Sequence, residues 1–207
     1  VVLLYQQIVS PLPPLRPEGK DALLVGLGGG HIAMALKEQG VVTDAVEIDP
    51  VVAQAARDYF LYDPPGELLV GDARYEIRNL DKHYDFIIHD CFTGGSVPSH
   101  LLSVEMLRDL DRLLAPDGLL VLNFVGFSDA PFSAATEAVY RTLAEIYPHR
   151  LALVSLPGED FNDFIFLASH QPISLEVDAA ILAPDGRTPL AEWFAAREQT
   201  VAEGGEL

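Results

Sequence analysis

The stretch Leu23-Leu24-Val25-Gly26-Leu27-Gly28-Gly29-Gly30-His31 constrains the fold more than any other part of the chain. A short apolar run reads as a buried strand, four glycines interrupt it, and a helical pattern follows. Glycine is needed where the backbone leaves a strand, turns with positive φ and lets a ligand approach main-chain N–H groups at a helix N-terminus. The turn gains meaning from what lies downstream. Val46-Glu47-Ile48-Asp49 ends a second apolar run and puts Glu47 21 residues after Gly26, where an acidic side chain can accept both hydroxyls of a ribose. A dinucleotide fingerprint, G-x-G-x-x-G/A, would need a small residue where His31 stands. The spacing present is G-x-G-x-G, at Gly26, Gly28 and Gly30, so the dinucleotide fingerprint is not met.

With 207 residues, 49% of them hydrophobic, the chain makes one α/β domain of ordinary size with a small appendage. A net charge of −18 argues against nucleic acid as a partner and weakly for a cationic one, with plain solubility as the competing explanation. The single cysteine, Cys91, excludes an internal disulfide framework, fits a reducing, cytoplasmic compartment and reads as a small buried residue without a positioned base. No apolar run approaches the length of a membrane span, so no membrane partner is expected. Val1-Val2-Leu3-Leu4 lacks the basic flank of a signal peptide, and the missing initiator Met reads as a trimmed chain or part of a longer one. The six histidines have no ligand spacing, and no metal is expected.

Residues 1–10 read as a short helix or strand, and Pro11-Leu12-Pro13-Pro14 as an extended connection up to Lys20. Strands are then expected over 22–26, 42–48, 67–70, 84–90 and 119–125, alternating with helices over 30–39, 50–60, 73–80 and 98–114. A helix over 131–146, an antiparallel closing pair over 149–156 and 161–168, and a helix near 190–199 complete the chain. Asp49 before Pro50 is a favoured helix start, and Asp72 also fits as an N-cap. Alternating βα units imply an α/β, doubly wound and mostly parallel sheet with right-handed crossovers. Ligands of such sheets sit at the carboxyl ends of the strands, which gathers the glycine turn, Glu47, Asp72 and Asp90 onto one rim. His89 alternates with Asp90 and is expected to face away from that rim. Gly94-Gly95-Ser96-Val97-Pro98 reads as a lid or as a long loop before a helix.

The ordered set Tyr5-Gln6, Leu24-Val25-Gly26-Leu27-Gly28-Gly29-Gly30, Val46-Glu47-Ile48-Asp49, Gly71-Asp72-Ala73, Tyr84-Asp85-Phe86-Ile87-Ile88-His89-Asp90 and Leu114-Ala115-Pro116-Asp117-Gly118 resembles the spermidine synthase-like family, or polyamine aminopropyltransferases, a branch of the class I methyltransferase fold. The resemblance runs from Tyr5 to about Ala168. It implies a Rossmann-like sheet with an antiparallel closing strand. It divides the chain into a lead-in over 1–20, a nucleoside-binding methyltransferase-like domain over 21–170 and a C-terminal tail over 171–207. The co-substrate it implies is S-adenosylmethionine or its decarboxylated form, the acceptor a small amine or other cation, and the assembly a homodimer. Carried onto matching positions, the family's roles put Gly26, Gly28, Gly30 and Glu47 at the nucleoside, with Glu47 on its ribose. Asp72 and Ala73 then lie at the adenine, Gln6 near the nucleoside, and Asp90 and Tyr5 at the reacting amine.

An aliphatic amine has a pKa of about 10 and is mostly unreactive ammonium at neutral pH, so a carboxylate such as Asp90 is needed to hold it and take its proton. The chain departs from the family pattern at three places that grip ammonium groups. Thr93 stands where a second aspartate follows the fourth strand, Gly29 where an aspartate sits in the glycine loop, and Leu156-Pro157-Gly158-Glu159-Asp160 contains no tyrosine. Glu159, Asp160 and Asp163 are the candidate replacements. The β-domain that precedes Tyr5 in the family is also missing from this sequence. Two alternatives stay open beside aminopropyl transfer: an S-adenosylmethionine-dependent methyltransferase and a non-catalytic nucleoside-binding module.

Overall fold

A continuous apolar run makes a strand only where both faces of the sheet are covered, and Ala22, Leu23, Leu24 and Val25 are all 0% exposed. The computed structural model describes residues 3–64, 66–92 and 97–202. In it Asp21–Val25 forms β1. The chain then runs through α2 (His31–Glu38), β2 (Val42–Glu47), α3 (Pro50–Phe60), β3 (Leu68–Val70), α4 (Ala73–Asn79), β4 (Tyr84–His89) and α5 (Val104–Asp111). It continues with β5 (Leu114–Phe127), α6 (Ala134–Ala144), β6 (His149–Val154), β7 (Phe161–Ser169), α7 (Leu190–Ala195) and β8 (Glu198–Gln199), and a short α1 (Gln6–Val9) precedes β1.

The strands form a single sheet in the order β3-β2-β1-β4-β5-β7-β6-β8. The first five are parallel, and β7, β6 and β8 are antiparallel additions. This is the Rossmann-like architecture with an antiparallel closing strand that the βα alternation predicts. On one face Leu24, Ile88, Val121 and Ile165 pack beneath α1 and α2, joined by Leu190 and Phe194 of α7. Full burial of those last two side chains contributes about 1.5–3 kcal/mol each, which ties residues beyond β7 into the core. On the other face Leu23, Ile87, Leu120 and Phe166 pack against Ile77, Met106 and Val139 from α4, α5 and α6.

Four local expectations are corrected. Residues 13–15 form a 3-10 turn instead of an extended connection, with Arg16 N–H donating to Pro13 O at 2.9 Å; a proline early in a helix has no N–H to leave unpaired. The helix expected over 98–114 is split into a 3-10 turn, Ser99–Leu101, and α5, because Ser103 is extended and its hydroxyl caps Met106 N–H at 3.3 Å. Strand β5 begins at Leu114, not Leu119: Tyr84 pairs with Leu114 and Phe86 with Leu119, and the residues between bulge out of register. The helix expected near 190–199 ends at Ala195, and Glu198–Gln199 pair instead as β8 with Leu153 and Ala152 of β6, a pairing with no apolar pattern to announce it. Thr93 and residues 94–96 of the expected lid lie outside the described residues.

Candidate active site

The parallel register brings three strand ends level. Val25 pairs with Val46 of β2 and with His89 of β4, so the next residues, Gly26, Glu47 and Asp90, lie side by side at the carboxyl ends of their strands. Their backbones remain joined, Gly26 N–H donating to Val46 O at 2.9 Å and Asp90 N–H to Val25 O at 2.8 Å. Gly26 has φ +94°, and a Cβ there would stand 2.3 Å from the Asp90 carbonyl oxygen. Gly30, at φ +75°, is the N-cap of α2 and lies against the Tyr62 ring. Gly28 is left-handed too, at φ +54°, but faces open space.

Glu47 is 8% exposed and braces the turn. Its Oε2 accepts Leu27 N–H at 3.1 Å and Gly28 N–H at 3.3 Å, and its Oε1 accepts Asp49 N–H at 3.0 Å. A carboxylate carries about four lone-pair sites, so acceptor capacity remains for a ligand hydroxyl. Next along the rim, Gly71 N–H donates to Glu47 O at 2.9 Å. Asp72 then caps α4 through Arg74 N–H at 2.9 Å and Tyr75 N–H at 3.3 Å, with Ala73 beside it. Ile48, Val51, Val70 and Tyr75 leave exposed apolar side chains along this stretch.

On the other side of Gly26 a hydrogen-bond chain converges on Asp90. Gln6 Nε2 donates to the Tyr5 hydroxyl at 3.5 Å, and Tyr5 donates to Asp90 Oδ2 at 2.8 Å. Asn123 Nδ2 donates to Asp90 Oδ1 at 2.9 Å. Burial raises the Asp90 carboxyl above its ordinary range; the Asn123 and Tyr5 hydrogen bonds oppose that shift and the charge of Asp163 adds to it. Burial and the Asp90 carboxylate push the Tyr5 hydroxyl well above a tyrosine's usual value, so it stays protonated and donates.

Tyr5 and Gln6 come from the chain before β1, at the start of α1, and Tyr5 reaches across to Asp90 at the end of β4. Asn123 was not singled out in the sequence. Its signal is there as the one polar residue inside the apolar run 119–125. Of the three acids near the closing strand, Asp160 is occupied by Ser128 N–H at 3.1 Å and Asp129 N–H at 2.8 Å. Asp163 is the one whose charge reaches both Asp90 and Tyr5.

Cys91 adjoins the site but donates to Val25 O at 3.2 Å, and burial pushes its thiol up to about 12, which leaves no thiolate at neutral pH. His89 lies on the opposite face with its Nε2 at 3.0 Å from Leu101 O, and burial lowers it to about 4. No cluster of three or more His, Cys, Asp or Glu side chains among the described residues is arranged to hold a metal ion, and none of the described helices is long and apolar enough to cross a membrane. A cavity of about 710 Å³ between Pro13, Gln39 and Glu176 lies at the other end of the sheet and contains none of these groups.

No family model matches the chain. It is 38% identical over 185 residues to a polyamine aminopropyltransferase of Vibrio vulnificus, covering 79% of this chain and 61% of that protein. It is 34% identical over 165 residues to an N-terminal histidine N-methyltransferase of Emericella nidulans, covering 75% of this chain and 29% of that protein. The chain thus spans about three fifths of the first relative and under a third of the second. Its fold matches the crystal structure of a probable spermidine synthase from Corynebacterium glutamicum with a TM-score of 0.74 at 18% identity, covering 100% of this chain and 83% of that one. By sequence the chain is similar to both a polyamine aminopropyltransferase and an N-terminal histidine N-methyltransferase, and its fold is the Rossmann-like one shared by spermidine synthases and class I methyltransferases.

Proposed function

We propose that the protein is a transferase that moves an aminopropyl group from decarboxylated S-adenosylmethionine to an amine, with Asp90 as the orienting base. The observation that carries this reading is the Gln6–Tyr5–Asp90–Asn123 chain beside the glycine turn. The amine lone pair attacks the carbon attached to the sulfonium sulfur. The carbon–sulfur bond breaks with its electrons going to sulfur, and the neutral thioether leaves. One N–H proton passes to Asp90. Such a transition state spreads the sulfonium's positive charge over sulfur, carbon and nitrogen, and alignment of nucleophile and carbon matters more than electrophilic activation. A carboxyl with a raised pKa is the better proton acceptor for this step. In this reading Glu47 holds the ribose, and Asp72 and Ala73 border the adenine.

Methyl transfer from intact S-adenosylmethionine is the second reading, and Gly29 favours it. With no carboxylate at that position, nothing in the glycine loop repels the carboxylate of the intact donor. The deciding experiment gives the protein either donor with a panel of amines and identifies the nucleoside by-product by mass spectrometry. Amine-dependent methylthioadenosine supports aminopropyl transfer, and adenosylhomocysteine supports methyl transfer. Donor binding with no by-product of either kind rejects both in favour of a nucleoside-binding module.

Two substitutions test the donor side. Glu47→Gln leaves one acceptor oxygen where Leu27, Gly28 and Asp49 N–H groups already claim two. Charged hydrogen bonds contribute about 1.5–3 kcal/mol, so calorimetric titration with methylthioadenosine is expected to give a Kd raised about ten-fold or more. Gly29→Asp restores a carboxylate. Gly29 is absent from the positive-φ glycines, and its Cβ would press only on the exposed His31 ring, at 2.7 Å, which can rotate aside. The ratio of affinities is expected to move about ten-fold or more towards the decarboxylated donor, and an unchanged ratio removes the argument from Gly29.

A further inference from the structure

The register of β5 and β7 places a second set of groups on the face that carries Asp90's partner. Asn123 pairs with Ile165, Val125 with Asp163, and Phe127 with Phe161. Side chains alternate along each strand, so Asn123, Asp163, Phe127 and Phe161 share one face, in that order towards the open end of the sheet. Asn123 and Asp163 are diagonal neighbours across the ladder, a spacing of about 7–8 Å.

Two observations at this strip call for a cation. Burial raises the carboxyls of both Asp90 and Asp163, and the charge of Asp163 adds to the shift at Asp90, yet neither has an ion-pair partner among the described residues. Asn123 is 1% exposed, and its Oδ1 is buried with no hydrogen-bond partner while its Nδ2 is spent on Asp90. An unpaired buried carbonyl oxygen beside two carboxyls is short of hydrogen-bond donors, and an ammonium group supplies three. Beyond Asp163 the strip turns apolar: Phe127 lies 5.0 Å from Phe161 and 5.4 Å from Phe132, ring centroid to centroid, and Phe132 and Phe161 are exposed. Asp160, the acid nearest that mouth in sequence, is committed to the Ser128 and Asp129 N–H groups.

We propose that this strip is the acceptor site and that it takes a primary amine with a single ammonium group and an apolar or aromatic body. Asp163 and Asn123 Oδ1 hold the ammonium beside Asp90, and Phe127, Phe132 and Phe161 cover the body. The proposal rests on the transferase reading above and adds the acceptor class and the role of Asp163. A linear diamine would have to lay its second ammonium among the three phenyl rings.

The test compares phenethylamine with 1,4-diaminobutane, in wild type, Asp163→Asn and Phe161→Ala, by by-product formation and by calorimetric titration into protein saturated with methylthioadenosine. The strip predicts a kcat/KM at least ten-fold higher for phenethylamine. Asp163→Asn is expected to lower it ten-fold or more with the donor Kd unchanged. Phe161→Ala, at an exposed position, is expected to raise KM for phenethylamine several-fold while leaving that for propylamine unchanged. Turnover that favours 1,4-diaminobutane and ignores both substitutions overturns the strip and keeps the transferase. Phenethylamine binding that Asp163→Asn abolishes, without turnover of any amine, keeps the strip and overturns the transferase. No amine binding to the wild type overturns the strip as well.

Discussion

Asp90→Asn is expected to lower kcat for transfer by about 10²–10⁴-fold, the range general-base catalysis contributes, while leaving the donor Kd within about two-fold. The substitution keeps the shape of the side chain and removes its capacity to take the amine's proton. Its contacts are with Tyr5 and Asn123, neither of which braces the glycine turn, so donor binding has no reason to change. A second readout separates this role from a structural one. The Asp90 carboxyl is raised in the folded protein, so between its ordinary value near 3.8 and that raised value the native state binds the extra proton. Stability is therefore highest below 3.8 with respect to this group and falls as pH rises through the raised value. Asp90→Asn abolishes that loss, so the Tm of the variant relative to wild type is expected to rise as pH climbs through this window. The wild-type rate is expected to climb with pH through the same window, and the variant to lack that limb. A variant that keeps the wild-type pH limb of the rate and loses the same stability at every pH would make Asp90 a structural residue.

The two halves of the site differ in how far they could be read from the sequence, and the reason is geometric. The donor half rests on local features: glycines at fixed offsets after β1, and an acid at the end of β2. The rule that parallel strands present their carboxyl ends to ligands does the rest, and register sets Gly26, Glu47 and Asp90 side by side. The groups gathered around Asp90 come from four separate segments. Asn123 and Asp163 meet only because β5 and β7 are antiparallel in one particular register, and a slip of one residue would send either to the opposite face. Composition and periodicity do not carry that information. Tyr5 was named on resemblance alone, since nothing in its neighbourhood announces that α1 would lay it against β4. The 3-10 turn at Pro13–Leu15 and the two-residue β8 escaped for the plainer reason that short elements have too few residues to show a period.

Gly26→Ala is expected to destabilise the fold by about 2–4 kcal/mol and to lower Tm by roughly 4–16 °C, against roughly 2–4 °C per 1 kcal/mol for a chain of this size. Two costs add. A left-handed conformation costs an L-residue about 1–2 kcal/mol wherever it occurs. At Gly26 the new methyl would also stand 2.3 Å from the Asp90 carbonyl oxygen and 3.3 Å from Cys91 Cα, backbone atoms that cannot rotate away. Gly28→Ala isolates the first cost, because it shares the left-handed φ and has nothing within 4 Å of the added carbon. It is expected to lose only about 1–2 kcal/mol in the same thermal melt. The difference between the two variants measures how tightly the glycine turn is packed on the backbone of Asp90. Relief of the 2.3 Å contact has to push the end of β4 away from β1, where Asp90 N–H is held by Val25 O at 2.8 Å. Gly26→Ala should therefore depress turnover beyond what its loss of donor affinity explains. Equal melting losses in the two variants, or a turnover loss fully accounted for by donor affinity, would mean that the glycine turn and Asp90 move independently.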